Sequence, residues 1–466
     1  MNRTDNWIKN DKVSNQSTYT KKPQPCVYLI KWSVLSVVAG LTGATVVQLF
    51  LTLLSIIQYG TAFWGLPQPL WVLCGAAIVG GIIYKMYPDS AVEAMPSTIS
   101  GIKNDTLHPS TTLCKFWATL ITLGTFGSGG IVGPLGRVST GLISLAGKKL
   151  AAVWGIFDHE DQRTASICGL AAAIGAIFQS PIGGGIFAVE VLHRTRIEYK
   201  NILPGILAST ASVVISKLCG WSGFFSVNSS DNFMDISAFG WLLVLVFLAS
   251  ISGAMFTRLY KKISDLFAHF QSNVISKAMI GSFFAASIGW VINPELLGTS
   301  QAIGEALFDN QSRIIIAGRL GETLPFGATL LVMAVVKMVI TCITAGSGMS
   351  VGFVGPSALF GMLLGAAVSY MLGIEIGSAT YFAFIAAGFS AMVASVINVP
   401  LAAAVITAEI FGLHYSLPAG LGAVIGFQIN RTQTFYDFAL KTKVQFTGIV
   451  KSVNAKMPYG KEHNDM

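Results

Sequence analysis

The sequence is poor in charged residues. Only 11% of its 466 residues are Asp, Glu, Lys or Arg, whereas a typical soluble protein has about 25%. So few charged side chains do not cover a water-facing surface, and 53% of the residues are hydrophobic. We therefore expect a membrane protein, which excludes a soluble enzyme, a disordered scaffold and a nucleic-acid-binding protein.

The patterns that build most chemical sites are also missing. The six cysteines are scattered without a CxxC pair, so neither a disulfide framework nor a metal centre is expected. No HExxH, GxSxG or Walker pattern occurs, so we expect no enzyme activity and no cofactor. The polar first 32 residues do not resemble a signal peptide.

Long apolar segments dominate the rest of the chain. They run at about 33–58, 66–84, 112–132, 165–192, 203–219, 237–257, 277–292, 327–345, 355–373, 379–397 and 399–427. Several are long enough to span a bilayer, but Gly- and Pro-rich stretches interrupt them at 127–134, 180–185 and 346–356. In lipid, irregular backbone occurs only where protein surrounds it or a cavity adjoins it. This pattern predicts an all-α polytopic membrane protein with its site at the interruptions.

The chain contains an internal repeat. A shift of 222 positions aligns 115–134 with 337–356 and places Gly133-Pro134 on Gly355-Pro356. A shift of 219 positions aligns Glu190 with Glu409. We predict two membrane repeats, 33–230 and 231–440, which is typical of transporters and channels with a site between the halves.

The two ends of the chain are basic. Lys and Arg outnumber Asp and Glu in residues 1–32 and again after Asn430. Both tails, 1–32 and 441–466, are therefore predicted to be cytoplasmic, with an even number of crossings and no folded domain after the membrane part.

Each Gly-Pro pair is typical of a helix start inside the membrane, because proline is favoured in the first turn. A helix start presents backbone N–H groups and the positive end of the helix dipole. Two such starts aimed at one point would bind an anion without a buried Lys or Arg. The alternative is that the glycines only permit close packing.

On several motifs the sequence resembles the CLC chloride channels and proton-coupled chloride transporters, over about residues 33–440. The matching stretches are GSGMSVGFVGPSALFGMLLG (346–365), AAAIGAIFQSPIGGGIFAVEVL (171–192), AGFSAMVASVINVPLAAAVITAEI (387–410) and TFYDFAL (434–440). The resemblance implies an inverted-repeat fold of broken, tilted helices. It also implies a cell-membrane homodimer with an anion pathway in each subunit and cytoplasmic termini. The central anion would be held by the backbone around Phe353 and Val354 and by the Tyr436 hydroxyl.

Two departures from the family concern protons. The family's GREGP aligns with Gly133-Pro134-Leu135-Gly136-Arg137, so Gly133, Leu135 and Gly136 fall in the anion site and Leu135 replaces the gating glutamate. The family's Glu-Glu pair is Glu190-Val191 here, so valine stands at the proton-transfer position. The match of Glu190 with Glu409 suggests a shared structural role for these two carboxylates.

The third departure places Glu93 where the family has the serine that coordinates the central chloride. An ionised Glu93 would fill the site and a protonated one would free it, so anion flux would rise as the pH falls. The alternative is local slippage, with Ser97, Thr98 or Ser100 facing the pathway.

Three basic residues lie near these motifs. Arg137 either lines the anion entrance or pairs within the subunit. Lys115 and Lys337 are predicted to extend from helix starts toward a membrane interface.

We predict passive transport of chloride or a similar monovalent anion, uncoupled from protons. The alternatives are a proton-coupled antiporter with Glu93 as its protonatable gate, and a degenerate anion site with a structural or sensory role.

Overall fold

A computed structural model describes residues 25–82, 94–104, 106–154, 159–192, 197–221, 223, 234–270, 272–308, 315–316, 318 and 320–431. Within these ranges the regular secondary structure is helical, and the β-type pairing is one isolated antiparallel bridge between Gly130 and Gly352. Glu93, Tyr436 and most of both predicted tails lie outside the described residues.

The helices are numbered in chain order. They are α1 (Pro25–Phe63), α2 (Gln68–Gly81), α3 (Ala94–Asn104), α4 (Pro109–Gly124), α5 (Val132–Trp154), α6 (His159–Phe178), α7 (Pro181–Glu190), α8 (Tyr199–Leu218), α9 (Phe239–His269), α10 (Val274–Ile292), α11 (Gln301–Ala306), α12 (Phe326–Gly346), α13 (Val354–Met371), α14 (Ala379–Ile397), α15 (Pro400–Phe411) and α16 (Ser416–Ile429).

Seven of the described helices, namely α1, α8, α9, α10, α12, α13 and α14, are long and apolar enough to cross a membrane. Helix α14 is apolar on all sides, and every one of its residues except Thr380 is buried, as expected for a helix surrounded by others. Helices α1, α9 and α10 instead expose large apolar side chains along one side. The prediction of an all-α polytopic membrane protein is confirmed.

The predicted interruptions are helix breaks. Helix α4 ends at Gly124 before α5 begins at Val132, and α12 ends at Gly346 before α13 begins at Val354. The predicted segments at 165–192 and 399–427 each form two helices, α6–α7 and α15–α16. Gln179 and Asn398, which match at the 219-residue shift, both adopt a left-handed conformation, with φ of 51° and 67°.

Helices α7 and α15 are joined by two glutamates, one on each helix, whose carboxylates bind the start of the other helix. Glu190 is the last residue of α7, and its two oxygens accept hydrogen bonds from the N–H groups of Leu401 (3.0 Å) and Ala402 (2.8 Å) at the start of α15. A carboxylate suits a helix start because the N–H groups there have no partner within the helix.

Glu409 makes the reciprocal contact from α15. Its oxygens accept from the N–H groups of Ile182 (3.0 Å) and Gly183 (2.9 Å) and from the Ser180 hydroxyl, all at the start of α7. The two matched glutamates therefore make the same contact in opposite directions, which agrees with a shared structural role.

We expect Glu409→Gln to lower the free energy of unfolding by about 1–3 kcal/mol, because an amide leaves at least one of the paired N–H groups without its charged acceptor. Thermal unfolding in detergent measures the change, with Glu375→Gln, at an exposed carboxylate, as the matched control. Equal melting temperatures for both variants and the unmodified protein would contradict the structural role.

Candidate anion site

The loops before α5 and α13 are bonded directly to each other. The N–H of Gly130 donates to the carbonyl oxygen of Gly352, and the N–H of Gly352 donates to that of Gly130, both at 2.8 Å. These glycines match at the 222-residue shift. The pairing brings the first turns of α5 and α13 to the same place.

Glycine at these two positions allows the opposite helix to lie close. A methyl group on Gly130 would lie 2.9 Å from Pro356 Cδ and 3.1 Å from Gly355 N. A methyl group on Gly352 would lie 3.2 Å from both Gly133 N and Pro134 Cδ. Each loop therefore packs against the first turn of the opposite helix.

Two further contacts between hydroxyl groups hold the loops from both sides. Thr119 Oγ1 on α4 lies 2.8 Å from Ser350 Oγ in the second loop. Ser128 Oγ in the first loop lies 3.0 Å from Thr341 Oγ1 on α12. All four side chains are buried, and the two contacts are equivalent at the 222-residue shift.

Helix α5 begins with two N–H groups that have no acceptor in their own helix. The N–H of Leu135 donates to the carbonyl of Ile131 at 3.0 Å and closes the first turn. Val132 and Gly133 precede that bond, and Pro134 has no N–H. The available donors at this helix start are those of Val132 and Gly133.

Helix α13 begins in the same way. The N–H of Ser357 donates to the carbonyl of Phe353 at 3.0 Å, which leaves the N–H groups of Val354 and Gly355 ahead of the first intrahelical bond. The buried Phe353 ring lies 4.9 Å from that of Tyr260, between centroids. This packing surrounds the helix start with apolar side chains, and electrostatic attraction is stronger in apolar surroundings than in water.

The sequence-predicted residues divide into two groups. Gly133, Phe353 and Val354 lie at the two helix starts. Leu135 and Gly136 lie one turn inside α5. The N–H of Leu135 is already bonded and its side chain is fully buried, and a methyl group on Gly136 would lie 2.7 Å from Leu170 Cδ1.

The paired glycines set Val132 opposite Val354, and Leu135 lies three residues further along α5. The Gly-Pro motif does not fix where α5 begins, because proline is accepted at several positions of a first turn. Here it occupies the third residue of α5, so the helix begins two residues before the Gly-Pro motif ends.

The alternative serines and threonine on α3 make local bonds. The hydroxyls of Ser97 and Thr98 both donate to the carbonyl of Ala94 at 2.7 Å, and the Ser100 hydroxyl accepts from Asn104. Helix α3 begins at Ala94, directly after Glu93.

Arg137 pairs within the subunit, which is one of its two predicted roles. Its Nη1 donates to the carbonyl of Ser97 on α3 at 3.0 Å, and its Nη2 donates to the Thr111 hydroxyl on α4 at 3.2 Å. The side chain is buried and links the first turn of α3 to α5.

Lys337 does not extend to an interface, so that prediction is wrong. It is the twelfth residue of the 21-residue helix α12 and is completely buried. Its Nζ donates to the carbonyls of Leu296 (2.9 Å) and Gly298 (3.0 Å) and to the Ser300 hydroxyl (2.7 Å). Lys115 is likewise buried, with 3% of its surface exposed.

The loop around the Lys337 ammonium also supports the anion site. The carbonyl of Gly298 accepts a second hydrogen bond, from the N–H of Gly129 at 3.1 Å. Gly129 directly precedes the paired Gly130, so the ammonium fixes one edge of the first loop. Sequence patterns gave no signal for this contact, because the three oxygens lie about 40 residues before the lysine.

A polar cavity of about 400 Å³ adjoins the same loop. Phe126 and Ser300 line it, and both have a left-handed backbone, with φ of 68° and 57°. Eight further lining residues are polar, and they are Gln48, Thr52, Ser55, Gln58, Gln68, Glu295, Thr299 and Gln301. Apolar residues, among them Leu51, Leu54 and Leu297, complete the lining. Within the described ranges, no three His, Cys, Asp or Glu side chains come together as a metal ion would require.

Comparison with known proteins gives one family. The family model described as voltage gated chloride channel matches residues 6–135 and 75–431. An uncharacterised protein of Methanocaldococcus jannaschii is 29% identical over 273 residues, which are 58% of this chain and 64% of that protein. The H(+)/Cl(-) exchange transporter ClcA of Vibrio cholerae is 25% identical over 79% of both chains.

Solved structures show the same fold. A CLC-type fluoride/proton antiporter superposes with a TM-score of 0.74 at 18% identity, covering 89% of this chain and 99% of the other. A slow cyanobacterial Cl-/H+ antiporter superposes with a TM-score of 0.70 at 18% identity, covering 92% and 98% of the two chains.

We expect Gly130→Ala to reduce anion binding about tenfold or more, because the added methyl group pushes α13 away and costs the site more than about 1.4 kcal/mol. Gly60→Ala is the matched control, since a methyl group there meets no atom within 4 Å. Halide titration by calorimetry measures both. Unchanged binding in Gly130→Ala would show that the paired loops do not form the site.

Proposed function

Because this chain belongs to the voltage-gated chloride channel (CLC) family, we propose that it carries chloride or a similar monovalent anion through the membrane past the starts of α5 and α13, without coupling to protons. The observation that supports this most directly is the Gly130–Gly352 pairing, which sets two helix starts side by side.

The chemistry of these helix starts suits a monovalent anion. The N–H groups of Val132, Gly133, Val354 and Gly355 replace part of the anion's hydration shell, and the two helix dipoles add partial positive charge. Neutral donors hold an anion more weakly than a direct ion pair does. The anion can therefore enter and leave, as conduction requires.

Uncoupled transport is supported by the lack of proton-binding side chains at three described positions. Val132 and Leu135 in the first turns of α5 cannot bind a proton, and neither can Val191 at the end of α7. The carboxylates of Glu190 and Glu409 each hold two backbone N–H groups of another helix. Within the described residues, these contacts leave neither glutamate free to carry protons.

A homodimer is part of the proposal. Exposed apolar side chains on α7, α8, α15 and α16 offer a face for a second copy, namely Ile182, Leu203, Leu401, Leu417 and Val424. The basic tails support a cytoplasmic location of both termini. No enzymatic reaction is included in the proposal.

The second candidate function is proton-coupled antiport. It is favoured by the relatives, because the matched Vibrio protein is an H(+)/Cl(-) exchange transporter and the superposed structures are those of a fluoride/proton and a Cl-/H+ antiporter. In this chain Glu93 would then be the protonatable gate.

Flux in liposomes separates the two functions. An inward proton gradient is imposed at equal chloride concentrations, and chloride and pH are followed together. We expect no uphill chloride movement, because the described residues offer no free proton carrier along the pathway. Chloride efflux against its gradient, coupled to proton entry, that Glu93→Gln abolishes and Glu375→Gln leaves intact would establish the antiporter and contradict uncoupled transport.

A further inference from the structure

Arg137 is a buried cation that is not neutralised by any described carboxylate. Its residue is 5% exposed, and its two hydrogen-bond partners, the Ser97 carbonyl and the Thr111 hydroxyl, are neutral. Its Nε is buried without a hydrogen-bond partner. Among the described residues, the ion pairs involve other cations, Lys31, Arg163 and Lys200.

A buried charge of this kind is costly unless another charge compensates it. Lys337 illustrates the difference, because the three donors of its ammonium are matched by three oxygens. The guanidinium of Arg137 has five donors and always carries its charge. Its neutral partners satisfy only part of that capacity.

The position of Arg137 relates it to the anion site. It follows Val132 by five residues on α5, which is about 7.5 Å along the helix axis. A methyl group on Gly101 of α3 would lie 2.9 Å from Arg137 Nη1, so glycine permits the close approach of the guanidinium to α3. The charge thus lies between α3 and the first turns of α5.

We propose that Arg137 is a fixed positive charge that raises the anion affinity of the site at the starts of α5 and α13, and that the transported anion is its counter-charge. The inference rests on the proposed anion site. Arg137 is a positioning residue in this account, since it attracts the anion through space without contacting it.

The expected size of the effect follows from Coulomb's law. At a separation of about 10 Å and an effective dielectric constant of about 20, the attraction corresponds to about a tenfold change in affinity. The effect depends on the charge and only weakly on which donors carry it. If Arg137 instead only braced α3, α4 and α5, holding them together through its hydrogen bonds, the anion affinity would depend on the forked geometry of the guanidinium and only weakly on its charge.

The variants separate charge from bracing. Arg137→Met and Arg137→Gln remove the charge, Arg137→Lys keeps the charge but loses the fork, and Thr111→Val removes one bracing hydrogen bond while the charge stays. Each is titrated with bromide by calorimetry in detergent. The half-saturating chloride concentration for flux in liposomes provides a second measurement.

We expect Arg137→Met and Arg137→Gln to raise the bromide Kd about tenfold, with Arg137→Lys and Thr111→Val within about twofold of the unmodified protein. If one of the two neutral variants does not fold, the bromide Kd of the other tests the inference. A neutral variant with the unmodified Kd, or an Arg137→Lys Kd as high as that of Arg137→Met, would overturn the inference. Failure of the unmodified protein to bind bromide would instead refute the proposed function.

Discussion

The two hydrogen bonds between Gly130 and Gly352 are the contact on which the rest of the site depends. The absence of side chains at both residues allows this approach, since a methyl group would lie 2.9 Å (Gly130) or 3.2 Å (Gly352) from the proline of the opposite helix. The buried Thr and Ser hydroxyls on both sides keep the loops in this register. Backbone that would be costly in lipid is thereby enclosed by protein, and its remaining N–H groups are the donors of the proposed anion site.

Acidic and basic side chains near the paired loops lie in different places. The carboxylates of Glu190 and Glu409 occupy the starts of α15 and α7, which are the helix starts that do not form the proposed anion site. The cations Lys337 and Arg137 are buried beside the loops and helix that do form it. The two carboxylates therefore bond to helix starts outside the proposed site, while the buried cations lie beside it. Such an arrangement would favour anions over cations at the proposed site.

The sequence was sufficient to predict the helices and their interruptions, because apolar length and Gly-Pro breaks are local signals. It was not sufficient to fix the register of the site. Proline marks a first turn without marking its first residue, so the sequence did not show that the Leu135 N–H closes the first turn of α5 and that its side chain is buried. The burial of Lys337 was also not predictable from local sequence patterns. The three oxygens that accept its hydrogen bonds come from a loop about 40 residues earlier, in which Gly298 and Ser300 adopt left-handed conformations.

The most direct test of this account is a crystal structure with bromide, located by its anomalous scattering. We predict a bromide peak within hydrogen-bonding distance of the N–H groups at the starts of α5 and α13, those of Val132, Gly133, Val354 and Gly355. Bromide found only in the polar cavity beside Phe126 and Ser300, with none at the paired helix starts, would contradict the account.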